Sequence, residues 1–306
     1  MDCSHTSPYQ PVLAGFSEPS QRWILQYLDL LTTRRYAPAT LTAIVKTLVG
    51  LLRYLPQERQ GMLAADITQT TAQDISAFLS AGLRAGLAPS TLNTKLSILA
   101  SFFAYLGDAG VMQQQPVSRR QHRLLTPEVL PKAIPDADLV VFFQVIDSLR
   151  DRLLFLLMLR CGLRVSEACA LTWEAIDLQA GTVRINQGKG RVDRVVSLSA
   201  DVAQALRRWQ QHHSPGPYLF PSPQRRRAHL FRSMVNRFMD QYLAAADLTT
   251  HYSPHCLRHT FATQLLNAGV SLEVLKELMG HRSIHITLRY TQLYDATKRH
   301  QSYVST

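Results

Sequence analysis

Two stretches of this chain open and close on the same residue types, and they constrain the fold more than anything else in it. Ala37-Pro38-Ala39-Thr40-Leu41 begins an apolar-periodic run (Ile44, Val45, Leu48, Leu52) that closes at Tyr54-Leu55. Ala88-Pro89-Ser90-Thr91-Leu92 begins another (Leu96, Leu99, Phe103) that closes at Tyr105-Leu106, with proline and tyrosine the same distance apart. Proline in a first turn fixes φ where no backbone N–H is needed, so both stretches predict well-started helices. Each follows a shorter helix. The first begins near Gln21 and puts Trp23, Ile24, Tyr27, Leu28 and Leu31 on one face; the second runs from about Ala72 to Ala81. Two similar helical hairpins predict an all-α domain over residues 17–110, after a loose lead-in at 1–16. The alternative is that two unrelated helix starts share common residues.

Residues 111–134 lose this periodicity and gain proline, glutamine and basic residues, which predicts a linker. Its Arg119, Arg120 and Arg123, like Arg34, Arg35, Lys46 and Lys95 in the first domain, suit a face resting on a sugar-phosphate backbone; solvated basic side chains are the commoner case. Pro135-Asp136-Ala137-Asp138 opens a second domain, 135–306. It is mostly helical, with helices expected near 200–212 and 230–246. A small antiparallel β-sheet is expected from the β-branched runs 182–186 and 194–198, joined through a hairpin loop at 187–193, with a further strand near 175–178. The fold class is therefore mainly α. At 306 residues, two domains of unequal size are the natural arrangement.

The formal charge of +11 points to a polyanionic partner, nucleic acid or an anionic membrane surface. The most apolar run, Leu153 to Leu159, falls far short of the roughly 20 residues a bilayer needs. The N-terminus has no basic segment followed by a long apolar one, so no signal peptide and no membrane association are expected. Cys3, Cys161, Cys169 and Cys256 form no C-x-x-C pair and read as reduced thiols of a cytoplasmic protein.

Chemistry gathers in the second domain. Ser253-Pro254 starts a helix with His255 and Arg258 in its first turn, three apart on one face, where free N–H groups and the helix dipole also favour an anion. Taken alone, this is also how an ordinary basic helix begins. His251, His255 and His259 recur every four residues, but neither an H-E-x-x-H arrangement nor a cysteine pair accompanies them, so no zinc site is expected. The apolar helix from Leu153 ends at Gly162, which leaves Arg164 in the joint before the next helix. Backbone holds it there on both sides and Glu167 can brace it, as a bidentate phosphate ligand requires. Lys189 lies between two glycines at the hairpin tip, the place of many solvated lysines. His281 follows a helix that Ser271 caps and Gly280 ends. Tyr290 comes nine residues later in LRYTQLY, with Tyr294 as its competitor.

GLRVSEACALTW, the glycine-flanked lysine, HCLRHTFAT, LMGH and Tyr290, in this order and spacing, resemble the tyrosine recombinase (phage integrase) family, and the compact Xer-type members most. The motifs cover roughly residues 150–300; the two-hairpin half fits the family's SAM-like core-binding domain less specifically. The resemblance implies a C-shaped clamp on duplex DNA and site-specific recombination through a 3′-phosphotyrosine. Arg164, Lys189, His255, Arg258 and His281 match the family's activating positions, and Tyr290 its nucleophile. Residue 281 is histidine where some members carry tryptophan. The resemblance implies no cofactor and no metal. Its expected partners are double-stranded DNA with inverted-repeat core sites, a homotetramer formed on that DNA with residues 291–306 docking into a neighbour, and possibly a second recombinase. The short lead-in leaves no room for an arm-binding domain. Two alternatives remain: a type IB topoisomerase, and a non-catalytic DNA-binding protein of the same fold.

Overall fold

The computed structural model describes residues 7–58, 66–126, 132–185, 193–212, 216–223, 228–281, 283–284 and 287–288. The chain divides into two compact units, Met1–Glu128 and Val129–Thr306.

Unit 1 is helical: α1 (Gln10–Leu13), α2 (Glu18–Thr33), α3 (Pro38–Glu58), α4 (Ala72–Arg84), α5 (Pro89–Asp108) and α6 (Arg119–His122). Pro38 and Pro89 each occupy the first position of their helix, as the sequence predicts. The core takes Leu48, Leu51, Leu52 and Leu55 from α3 and Leu99, Phe102 and Leu106 from α5, all fully buried. The two closing tyrosines lock the hairpins together crosswise. Tyr54 of α3 meets Phe78 of α4 edge-on at 5.6 Å, and Tyr105 of α5 meets Tyr27 of α2 at 5.2 Å. A capping box starts α4: the Thr71 hydroxyl accepts from Asp74 N, and the Asp74 carboxylate accepts from Thr71 N.

Among the described residues one helix, Pro38–Leu55, is long and apolar enough by length and composition alone to cross a membrane, with mean hydropathy 1.2. Half of it is buried within the protein, as befits a helix packed against α2 and α5 on one side. Within the stretch expected as a linker, residues 111–126 belong to unit 1. His122 is buried in α6; its Nδ1 accepts from Ser118 N at 3.0 Å and its Nε2 pairs with Ala72 O at 3.1 Å. The Asn93 side chain pairs both ways with the Leu124 backbone, at 2.8 and 2.9 Å. The bonds to Ala72 and between Asn93 and Leu124 join residues 50 and 31 positions apart, which local periodicity cannot register. At the far end, Ile134 N donates to Thr260 Oγ1 inside unit 2.

Unit 2 comprises α7 (Asp136–Gln144), α8 (Leu149–Arg160), α9 (Val165–Cys169), β1 (Ile176–Asp177), β2 (Thr182–Ile185), β3 (Arg194–Ser197), α10 (Ala200–His212), α11 (Arg232–Ala245), α12 (Pro254–Asn267) and α13 (Leu272–Met279). α8 is apolar on every side from Leu153 to Leu159 because it runs between α10 and α12 as the central core helix. The sheet is antiparallel in the order β1-β2-β3, with Val183 opposite Val196 and Ile185 opposite Arg194. Val183 and Ile185 of β2 point inward, and so do Val196 and Arg194 of β3.

Candidate active site

The site is built where two helices end. After α8 the chain turns through Gly162 at φ +61°, and a Cβ there would come within 2.4 Å of the Phe261 ring. Only glycine meets both the left-handed backbone and the missing space. α13 ends on Gly280, also left-handed at φ +58°. The last carbonyls of a helix lack partners within it and form the negative end of its dipole. Here guanidinium groups take them. Arg258 donates through Nη1 to Gly162 O and through Nη2 to Met279 O, and Arg164 Nη2 donates to Gly280 O at 3.1 Å.

Glu167, in the first turn of α9, joins these arginines. Its Oε1 accepts from Arg164 Nη1 at 2.6 Å and from Arg194 Nη1 at 3.2 Å. Its Oε2 accepts from Arg164 N and from Arg194 Nη2, both at 2.8 Å, and lies 3.7 Å from Arg258 Nη1. Burial pushes the Glu167 carboxyl up, but the hydrogen bonds and charge of Arg194, followed by the bonds from Arg164, outweigh it and hold the group at about 2. Arg258 is 3% exposed and Arg194 7%. Three guanidiniums therefore meet one ionised carboxylate in a largely dry place, an arrangement suited to receiving an anion.

His281 follows α13. Its Nε2 lies 3.3 Å from Arg258 Nη2, so Nε2 is the acceptor there, and its Nδ1 pairs with Thr287 Oγ1 at 3.0 Å. Burial, then the charges of Arg258, Arg164 and Arg194, push the imidazole down to about 4. His255, in the first turn of α12, keeps a face open to solvent. Packing over the rest of its ring, followed by Arg258, Arg164 and Arg232, also holds it below the ordinary 6.5. The His259 ring lies 6.5 Å from that of His255.

Of the six candidates, Arg164, Arg258 and His281 are thus in one bonded cluster, with His255 in its field. Lys189 and Tyr290 lie outside the described residues, as does Tyr294. Arg194 was not among the candidates, although it shares parity with Val196 and so had to point inward. His251 faces Asp240 at 3.4 Å, and among the described residues no group of three His, Cys, Asp or Glu could hold a metal ion. Cys161 and Cys169 are buried thiols that burial pushes up to about 12, which makes them poor nucleophiles.

The chain belongs to the phage integrase family: residues 132–297 match the Phage integrase family, and residues 24–110 match the Phage integrase N-terminal SAM-like domain. Among curated relatives, it is 34% identical to the tyrosine recombinase XerC of Xylella fastidiosa (strain M23), covering 83% of this chain and 86% of that one. It is 31% identical to the tyrosine recombinase XerC of Xanthomonas campestris pv. campestris (strain B100), covering 85% and 80%. Two solved structures share the fold. A lambda integrase dimer bound to a COC′ core site matches at TM-score 0.68 and 20% identity, over 87% of this chain and 96% of that one. The Tn1549 transposon integrase in complex with a circular intermediate DNA matches at TM-score 0.69 and 19% identity, over 87% and 94%.

Proposed function

We propose that this chain is a site-specific DNA recombinase, which cleaves and rejoins duplex DNA through a 3′-phosphotyrosine intermediate with Tyr290 as nucleophile. The observation that carries the reading is the cluster of Arg164, Arg258 and His281 around Glu167 and two helix ends. Those contacts fix the guanidiniums before any substrate arrives.

The chemistry sets two obstacles. Tyrosine titrates near 10, so only about 0.1% is phenolate at pH 7, and a phosphodiester repels an incoming anion. Arg164 and Arg258 answer the second by holding the non-bridging oxygens. Charge on those oxygens grows in the five-coordinate transition state, so the contacts stabilise it more than the ground state. His255, kept neutral by its surroundings, is available as base for the tyrosine. His281 starts neutral as well. An arriving phosphate offsets the arginines' charge and draws a proton toward this imidazole, which can then donate to a phosphate oxygen. Lys189 is assigned as general acid for the leaving 5′ oxygen. Attack by the phenolate oxygen forms the tyrosyl–phosphorus bond and breaks the bond to that 5′ oxygen. The new ester conserves the bond energy, so a 5′-hydroxyl from a partner strand reverses the step without ATP.

Residues 17–110 are assigned as the core-binding domain and 135–306 as the catalytic domain, each offering a DNA-binding face. The exposed Arg119, Arg120 and Arg123 around buried His122 suit phosphate contacts on the first. The substrate is double-stranded DNA with inverted-repeat core sites, bound by a homotetramer, or with a second recombinase, in the cytoplasm. The matches over both units do not favour a relaxing topoisomerase or a non-catalytic DNA binder.

A nicked core-site duplex tests the reading, because the short strand diffuses away after cleavage and traps the covalent complex. A protein–DNA adduct is expected, with affinity falling steeply as salt rises. No adduct would favour the non-catalytic binder, and supercoil relaxation without recombinant product the topoisomerase.

A further inference from the structure

Arg194 opens β3 on the inner face of the sheet, in phase with Val196 and opposite Ile185. A charge facing inward from a strand is costly unless paired, and a well-packed apolar residue there would often serve stability better. Nη1 and Nη2 fork onto the two oxygens of Glu167, at 3.2 and 2.8 Å. Among the described residues its buried Nε has no hydrogen-bond partner.

Glu167 uses the same two oxygens on Arg164, Oε1 for the guanidinium and Oε2 for the backbone N–H. Each oxygen is therefore shared between Arg194 on one strand and Arg164 at the head of α9. The carboxylate cannot rotate toward either without losing bonds to the other. We propose that Arg194 is a positioning residue for the phosphate site: its fork locks Glu167, and through Glu167 it fixes the plane and reach of the Arg164 guanidinium. β3 also begins five residues after Lys189 in the chain, and the same side chain ties that strand to the arginine cluster. The inference rests on the reading of Arg164 as a phosphate ligand.

The test uses the full chain and a nicked core-site duplex. Two quantities are read separately: the dissociation constant for DNA, and the first-order rate of adduct formation at saturating protein. Arg194→Gln is expected to slow adduct formation by about 10–100-fold, as for residues that orient the ligands of an active-site ion. Its DNA affinity is expected to stay within about twofold of the wild type, because the side chain is buried against protein. Arg194→Lys, which returns the charge without the fork, is expected to fall between the two. Three results would overturn the proposal: Arg194→Gln reacting at the wild-type rate, rate and affinity falling together, or both variants failing to fold. Absence of adduct from the wild type would remove the recombinase reading and this inference with it. Equal adduct from wild type and Arg194→Gln would remove the inference alone.

Discussion

The two units bury different things. In unit 1 the buried polar side chains described are Ser20, Thr47, Thr70 and His122, and each bonds to the main chain: Ser20 to Ile67 N, Thr47 to Ala43 O, Thr70 to Ile67 O, His122 to Ser118 N and Ala72 O. Apart from Thr47, which bonds back within α3, they complete helix ends and turns around an apolar core. Unit 2 buries the neutral Ser222, Thr260 and Thr287 too, but adds the charged Asp151, Arg194 and Arg258, with Glu167 nearly enclosed among its arginines. Buried ion pairs are poor investments in stability, since apolar replacements of similar shape often do as well or better. The difference therefore separates a unit shaped by packing from one whose interior is shaped by a chemical task.

The sharpest way to break that contrast is to remove one member of each interior. Arg258→Ala leaves Glu167 short of a cation and two helix-end carbonyls without their donor. A destabilisation of about 3–5 kcal/mol is expected, and adduct formation should fall at least about 10²–10³-fold. Leu48→Ala in unit 1 should cost a comparable 2–5 kcal/mol or so, yet leave the adduct rate of the folded, DNA-saturated protein unchanged. Denaturant melts beside adduct kinetics separate the two. If both variants lost stability and rate in the same proportion, the division of labour would fail.

Two glycines offer a finer version. Gly162 and Gly86 both have positive φ, at +61° and +80°, but a Cβ at Gly86 meets nothing within 4 Å while one at Gly162 strikes Phe261. Gly86→Ala is expected to cost roughly 1 kcal/mol, the strain alone. Gly162→Ala should cost more, and it should slow adduct formation because Phe261 and the carbonyl that holds Arg258 must shift. Equal effects at the two positions would contradict the account of the α8–α9 turn.

A further expected effect is one of pH. His281 is held near 4 in the folded protein against an ordinary 6.5. As pH falls through 6.5 the unfolded chain gains a proton that the folded one refuses, so this group's contribution to stability is lost progressively between 6.5 and 4. An NMR titration should find His281 neutral at pH 6 in the free protein and shifted upward on binding DNA. A free-protein value near 6.5 would show that the arginine field is weaker than the geometry implies.

Local signals carried much of this into the sequence. Pro38 and Pro89, the three-and-four spacing of leucines, and Gly162 and Gly280 as terminators all act within a turn or two of their own positions, so they can be read without the fold. What the sequence hid depends on distant partners. His122 and Asn93 fasten residues 118–124 to α4 and α5 across tens of residues. Gly162 and Met279 offer Arg258 their carbonyls, which no side-chain pattern records. Arg194 was missed because its run reads as an ordinary β-branched strand. The signal was present, in that alternation put a charge on the same face as Val196.

The central claim is that this cluster serves attack by one tyrosine. Tyr290→Phe, incubated with the nicked duplex, measures it directly. The expected result is DNA binding like that of the wild type with no covalent adduct, while Tyr294→Phe still forms one. An adduct from Tyr290→Phe would contradict the assignment and pass the role to Tyr294 or another nucleophile.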